Sequence, residues 1–351
     1  MSGERATWAN RVRGLVLGLA LGDGLGRGAA PASGPVLAGV STQLAAFTID
    51  GVIRAWIRAE NRGVCHPPSV VWHAYCRWAA LQGIAVHEAH RHWANGAERW
   101  PDGWLADVPQ LRERRGSAPA TVTALKQPRQ GSLRRPATRS RGCHALVRSL
   151  PLAALYDKVT APDPADLARE VAALTHGDAR AHEATSAAVA LAGQCLSAGV
   201  LGEPPPGSAL LRLPGLAELH GPIRAAFGQA GQAPRRKAVL ARIAADASAP
   251  SALLGGVYVA ASHPAPGDAM EALAFAATAP HGDSVAAVAG ALLGALHGVD
   301  VWPVDLLSRL ELTWVMDTLA RDLVSQITES PAGAGYGPPA DPSWWHRYPG
   351  W

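Results

Sequence analysis

The sequence predicts an all-α protein, on two observations. Apolar residues recur at spacings of three and four along nearly the whole chain, and β-branched runs with strand-like alternation are few. With 48% hydrophobic residues in 351, there is enough apolar surface for a large core, as one domain or two. The periodicity predicts helices over 11–22, 42–60, 69–82, 143–157, 181–198, 235–246, 267–278, 284–297 and 303–325. A further helix between 163 and 177 is marked by its ends: Asp163 caps it, Pro164 suits the first helical position, Asp166 sits in the first turn, and Gly177 closes the stretch after Leu167, Val171 and Leu174.

Two of these helices carry glycine every fourth residue: Gly14, Gly18 and Gly22 in the first, and Gly290, Gly294 and Gly298 in the segment that begins at 284. Such a stripe strips bulk from one face, so backbones can approach closely. The two helices are therefore expected to lie in the core near each other. Their apolar runs are shorter than the roughly 20 residues that span a bilayer, and no membrane partner is expected.

The segment 112–141 crowds nine basic residues into a Pro/Gly/Ser-rich stretch of little periodicity. It is expected to be a long loop, either solvated or in contact with phosphate through paired arginines. Residues 1–329 are expected to form one domain, followed by a tail over 330–351. That tail is expected to lay Trp344, Trp345, Tyr348 and Trp351 onto the domain surface, with a substrate lid as the other reading.

The net charge of +4 is small and mixed along the chain, which argues against a nucleic-acid partner. Lysine stands only at Lys126, Lys158 and Lys237, and Ala, Gly and Pro are abundant, as in GC-rich bacterial coding. Gly14–Leu21 leads straight into Asp23 without a signal-peptide pattern, so a cytoplasmic protein is expected. Cys65, Cys76, Cys143 and Cys195 lack C-x-x-C spacing and read as reduced thiols.

Six blocks carry a more specific signal. They are the run from Arg13 to Gly26 with Gly22-Asp23-Gly24 near its end, Thr42-Gln43 leading into Phe47–Ala55, Asp102-Gly103-Trp104-Leu105, Ser140-Arg141-Gly142-Cys143-His144 through Pro151, Ala173–Asp178 with His176-Gly177-Asp178, and His281-Gly282-Asp283-Ser284 through Ala295. In this order they resemble the ADP-ribosylglycohydrolase family, which includes the dinitrogenase reductase-activating glycohydrolases. The resemblance implies a compact all-α domain with a central cleft.

It also implies two Mg²⁺ ions, held by two adjacent aspartates before Thr-Gln and by an Asp-x-Asp-Ser/Thr element near the C-terminus. Hard divalent ions need such carboxylate oxygens, and a metal pair orients a ribose and activates water. Here the adjacent aspartates are replaced by Val40 and Ser41, and the family's early glutamate falls near Ala30. In the last element, alignment from Gly290 makes Asp283 the second aspartate, with His281 in place of the first; a deletion within 284–287 makes Asp283 the first. Either way one acidic ligand of that quartet survives, so no metal pair and no cofactor is expected. His281 with Asp283 lacks a third ligand for zinc.

Asp23, His281 and Asp283 are the candidates for metal-free acid/base work. Thr42, Gln43, Gly142, Cys143, His144, Arg148, His176 and Ser284 are the candidates for ligand binding. Gly142-Cys143-His144 resembles the glycine-rich turn lining the cleft, with His144 where the family usually has glycine; the other reading makes Cys143 a buried cap residue and His144 a surface side chain. His176 equally suits a helix end, where the dipole favours it. Three functions stay open: metal-independent binding of, or action on, an ADP-ribose-like ligand or small specialised metabolite; residual ADP-ribosyl hydrolysis; and a non-catalytic interaction protein.

Overall fold

The computed structural model describes residues 6–28, 33–90, 99–158, 162–198, 217–335 and 337–349. Among them the chain forms fifteen α-helices joined by short 3₁₀ turns and no β-strand, as the periodicity predicts. None of these helices is long and apolar enough to cross a membrane.

The centre is an antiparallel pair, α1 (Trp8–Leu25) and the later helix Gly282–His297. A Cβ on Gly14 would collide with the backbone of Gly294 and Gly298, one on Gly18 with Gly290, one on Gly22 with Ala286, and one on Gly26 with Gly282 and Asp283. The two glycine stripes are one contact, in which backbone packs on backbone. Trp302 seals its flank by donating from Nε1 to the Gly14 carbonyl at 3.0 Å, and Asn10 Oδ1 accepts the N–H of Val299 at 3.0 Å. This register brings Asp23, near the end of α1, to the start of the helix that carries Asp283.

Around the pair, α2 (Val40–Arg62) is buried almost continuously from Val40 to Ala55 and packs on α3 (Pro67–Leu81). Between them lies an ion network: Asp50 accepts from Arg54 Nε and Arg77 Nη2, and Asp102 accepts from Arg54 Nη1, each at 3.0 Å. The next helices are α4 (Pro119–Leu125), α5 (His144–Ser149), α6 (Pro164–Ala173) and α7 (Ala179–Ala198). They are followed by α8 (Ala217–Gln232), α9 (Lys237–Ile243), α10 (Ala249–Ser262), α11 (Ala269–Ala276) and α12, the Gly282–His297 partner of α1. The last three are α13 (Val304–Arg309), α14 (Thr313–Thr328) and α15 (Ser343–Arg347).

Several segments depart from the sequence expectation for identifiable reasons. The expected loop over 112–141 contains α4, anchored by buried Ala120, Thr121, Ala124 and Leu125, and its arginines are partly committed: Arg115 pairs with Glu311, Arg141 with Asp246, and Arg114 donates to the Gln82 carbonyl. The helix expected over 143–157 stops at Ser149 and continues as a 3₁₀ turn, Leu150–Leu155, with Pro151 at its start. That expected over 303–325 breaks into α13 and α14. Helices α8 and α10 were not foreseen: α8 holds Pro222 in its interior, whereas α10 has a readable start in Ser248, whose side chain accepts from Ser251 N–H. Asp163 caps α6 as read, accepting from Ala165 and Asp166 N–H.

The C-terminal aromatics go deeper than a surface covering. Trp344 and Tyr348 are buried, with Trp344 Nε1 donating to Gln326 Oε1 at 2.8 Å and the Tyr348 hydroxyl donating to Asp322. The Pro349 carbonyl accepts from Arg54 Nη1 at 2.7 Å. Trp351 lies outside the described residues.

Candidate functional site

Four helix ends meet at one place. The end of α1 supplies Asp23, the start of α2 supplies Ser41 and Thr42, the start of α5 supplies Cys143 and His144, and the start of α12 supplies Asp283 and Ser284. Asp23 is buried, and its Oδ2 accepts from both Thr42 N–H at 2.9 Å and Thr42 Oγ1 at 2.7 Å. A side chain on Gly39 would strike this carboxylate, which is why the entry to α2 is glycine. Burial raises the Asp23 pKa, opposed by the Thr42 hydrogen bonds and by Arg27, whose guanidinium stands 3.8 Å away.

Ser41 occupies one of the positions where the resemblance calls for a carboxylate, and its hydroxyl shares a 2.8 Å hydrogen bond with His144 Nδ1. Burial lowers the pKa of His144, partly countered by Asp23 and Asp283, so the imidazole is neutral near neutral pH. The direction of the bond follows the tautomer. Cys143, beside Ser284, is pushed up to about 11 by burial; its thiol stays protonated and is no nucleophile. The turn that carries this pair is fixed by two backbone bonds, Cys143 N–H to Ala247 carbonyl and Ala249 N–H to Arg141 carbonyl, each 2.9 Å.

Asp283 is half-buried, and its Oδ1 accepts from Ser284 N–H at 2.8 Å. Ser284 Oγ donates to the His281 carbonyl at 3.0 Å in the first turn of α12, while the His281 side chain is exposed. Gly142 lies over His176: a Cβ there would stand 3.4 Å from His176 Nε2.

The remaining candidates lie behind this cluster. Gln43 is fully buried and donates from Nε2 to the Glu113 carbonyl at 2.9 Å, tying the 110–113 turn to α2. Arg148 is fully buried, with its guanidinium on Thr121 Oγ1, Thr175 Oγ1 and the Val171 carbonyl and stacked 4.2 Å over the Tyr75 ring. His176 is buried with Nδ1 2.8 Å from Thr175 Oγ1. Ser41 and Arg27 were absent from the candidates; Ser41 is legible only as a serine at an expected carboxylate position, and Arg27 carries no sequence signal.

His176 makes a pH prediction. Burial, then Arg148 and the neighbouring His144 and His182, hold its pKa well below the ordinary 6.5. A neutral buried imidazole in the folded state faces a protonated one in the unfolded chain as the medium acidifies. The stability is complete above about pH 6.5 and is lost as pH falls from there towards the folded-state value. Thermal melts between about pH 7.5 and 5 should show a falling midpoint, and His176→Gln should flatten that fall. An unchanged slope in the variant removes His176 as a contributor.

The carboxylates brought near this cluster are Asp23 and Asp283. Among the described residues no three His, Cys, Asp or Glu side chains converge as ligands for one ion. Asp23 is buried with Oδ2 doubly engaged by Thr42, Asp283 gives Oδ1 to a backbone N–H, and Ser41 and Val40 carry no charge. Ala30 lies outside the described residues, and residues 29–32 read Ala-Ala-Pro-Ala, without a carboxylate.

Against functionally curated proteins the sequence finds no match. A solved structure described as an ADP-ribosylglycohydrolase-related protein complex is similar over 92% of this chain and 99% of that one, with a TM-score of 0.56 at 23% identity. At that identity the likeness shows the fold alone. The sequence profile of the ADP-ribosylglycohydrolases, however, matches residues 4–333, nearly the full length. The chain therefore belongs to the ADP-ribosylglycohydrolase family.

Proposed function

We propose that this protein binds an ADP-ribose-like or nucleotide-like small molecule at the cluster of helix ends that carries Asp23, Ser41, His144 and Asp283, without a magnesium pair. The observation that carries this reading is the Ser41–His144 contact. Two departures from the pattern the resemblance implies, a serine for a carboxylate and a histidine for a glycine, meet in a single hydrogen bond, so a neutral hydroxyl paired with an imidazole stands where a charged carboxylate is implied. A neutral imidazole and a hydroxyl offer a donor and an acceptor to ribose hydroxyls or to a base edge. Asp283, half-exposed, supplies an anionic acceptor. Proton transfer on a bound ligand falls to Asp283 and to the exposed His281, since Asp23 is buried against Thr42.

Calorimetry with ADP-ribose tests this directly. Saturable binding is expected, with a Kd unchanged by Mg²⁺ and weakened about tenfold or more by Asp283→Ala, the scale of one lost hydrogen bond to a charged group. Magnesium-dependent binding or turnover would restore the metal-assisted hydrolase reading. Absence of binding removes the nucleotide-like ligand and leaves a different metabolite or a protein partner.

A further inference from the structure

A cavity of about 600 Å³ opens where the C-terminal half of α2, the helix α3 and the Asp102 loop come together. It shares no residue with the Asp23–His144 cluster: Ser41 and Arg58 lie on one helix, about 25 Å apart along its axis at the standard rise. Three guanidiniums face it, Arg54, Arg58 and Arg77, together with the imidazoles of His66 and His73.

The carboxylates near it are already engaged. Asp50 is shared by Arg54 and Arg77, and Asp102 lies 3.0 Å from Arg54 and 3.5 Å from Arg77. Arg58 is half-buried and has no hydrogen bond or ion pair among the described residues. Among the described residues two carboxylates therefore face three guanidiniums. Burial, and then the positive Arg54, pull the pKa of Arg77 down, opposed by Asp50 and Asp102. The rest of the wall is Cys65, Ser69, Pro349 and two aliphatics, Val70 and Val64, the latter markedly exposed at 69%. A surplus fork-shaped cation beside two aliphatic side chains suits an anionic head on an apolar body, because guanidinium pairs carboxylate and phosphate in the same two-pronged geometry.

We propose that this cavity is a second ligand site, for a small organic anion whose carboxylate or phosphate sits on Arg58 and whose apolar body rests against Val64 and Val70. Arg58 orients the head, and Arg54 and Arg77, already neutralised by Asp50 and Asp102, shape the floor.

The test is titration of the intact protein at low ionic strength with phenyl phosphate, benzoate and uncharged benzyl alcohol. Saturable binding of at least one of the two anions is expected, and which one binds identifies the head group. Benzyl alcohol should bind at least about tenfold more weakly, because it lacks the charge-assisted pair. Arg58→Glu should weaken the anion about tenfold or more, and Arg58→Lys, which keeps the charge but not the fork, by less. Arg58 is only half-buried, so both variants should fold, and melting curves verify it. Asp283→Ala should leave this binding intact, which separates the result from the fate of the helix-end cluster. The proposal is overturned if neither anion saturates, if benzyl alcohol binds as well, if Arg58→Glu changes nothing, or if Asp283→Ala abolishes binding.

Discussion

Gly294→Ala is expected to lower stability by about 3 kcal/mol or more, at the upper end of what overpacking costs. One methyl group is enough because of what it meets. A Cβ on Gly294 points at the backbone of Gly14 and Leu15, and a Cβ on Gly14 at the carbonyls of Gly294 and Gly298. Neither neighbour is a side chain that can swing away, so the helices must separate, and the contact is repeated at Gly18 and Gly290. Separation by even an ångström loosens dispersion contacts along the whole α1–α12 seam. Gly228→Ala on α8 is the control, since nothing stands within 4 Å of a Cβ there. At that exposed helical position alanine should be neutral or stabilising, by up to about 1 kcal/mol. Chemical denaturation of the two variants decides it; a Gly294→Ala midpoint equal to that of the unaltered protein would show that the helices tolerate a wider spacing.

Asp50→Ala should be comparably damaging, by about 3–5 kcal/mol, the cost of breaking a buried ion pair from one side. Asp50 is 1% exposed and bridges Arg54 and Arg77, themselves buried. Burial opposes the charge on Arg54, and Asp50 and Asp102 more than offset it, so its pKa is raised. Without Asp50, Asp102 is left to serve two guanidiniums, and Arg77 keeps only the longer contact of 3.5 Å. The loss should spread to the C-terminal segment, because Arg54 also holds the Pro349 carbonyl. By comparison Tyr348→Phe should cost about 1 kcal/mol, since Asp322 retains Arg347 at 2.9 Å. Denaturant midpoints of the two variants, with proteolysis of the C-terminal segment as a second readout, test the ranking. Equal midpoints for Asp50→Ala and Tyr348→Phe would show that water or Asp102 compensates for the lost carboxylate.

Much of the framework is written in local pattern. The four-residue glycine spacing predicted a close helix pair, and the antiparallel register of Gly14 with Gly294 and Gly18 with Gly290 is that pair. The Asp163-Pro164 start of α6 is where its side-chain cap forms. Pattern failed where a proline or a tertiary contact outweighed it: Pro151 turns the end of α5 into a 3₁₀ turn, and buried Thr121 and Leu125 fold α4 inside a segment whose composition reads as loop. The six family blocks pointed to the cluster of Asp23, Thr42, Cys143, His144, Asp283 and Ser284. They did not separate these from Gln43 and Arg148, which the same blocks carry into the core.

By itself, the sequence determined the all-α class and the pairing of the two glycine-bearing helices. Both are properties of residue type at fixed spacing along one chain. Only the tertiary structure decided that Ser41 touches His144 across 103 positions, that Arg58 is left without a counter-ion among the described residues beside a cavity, and that Tyr348 reaches the core. Contacts at such separations are set by how whole helices seat on one another. That seating depends on the summed packing of many side chains, which no local period encodes.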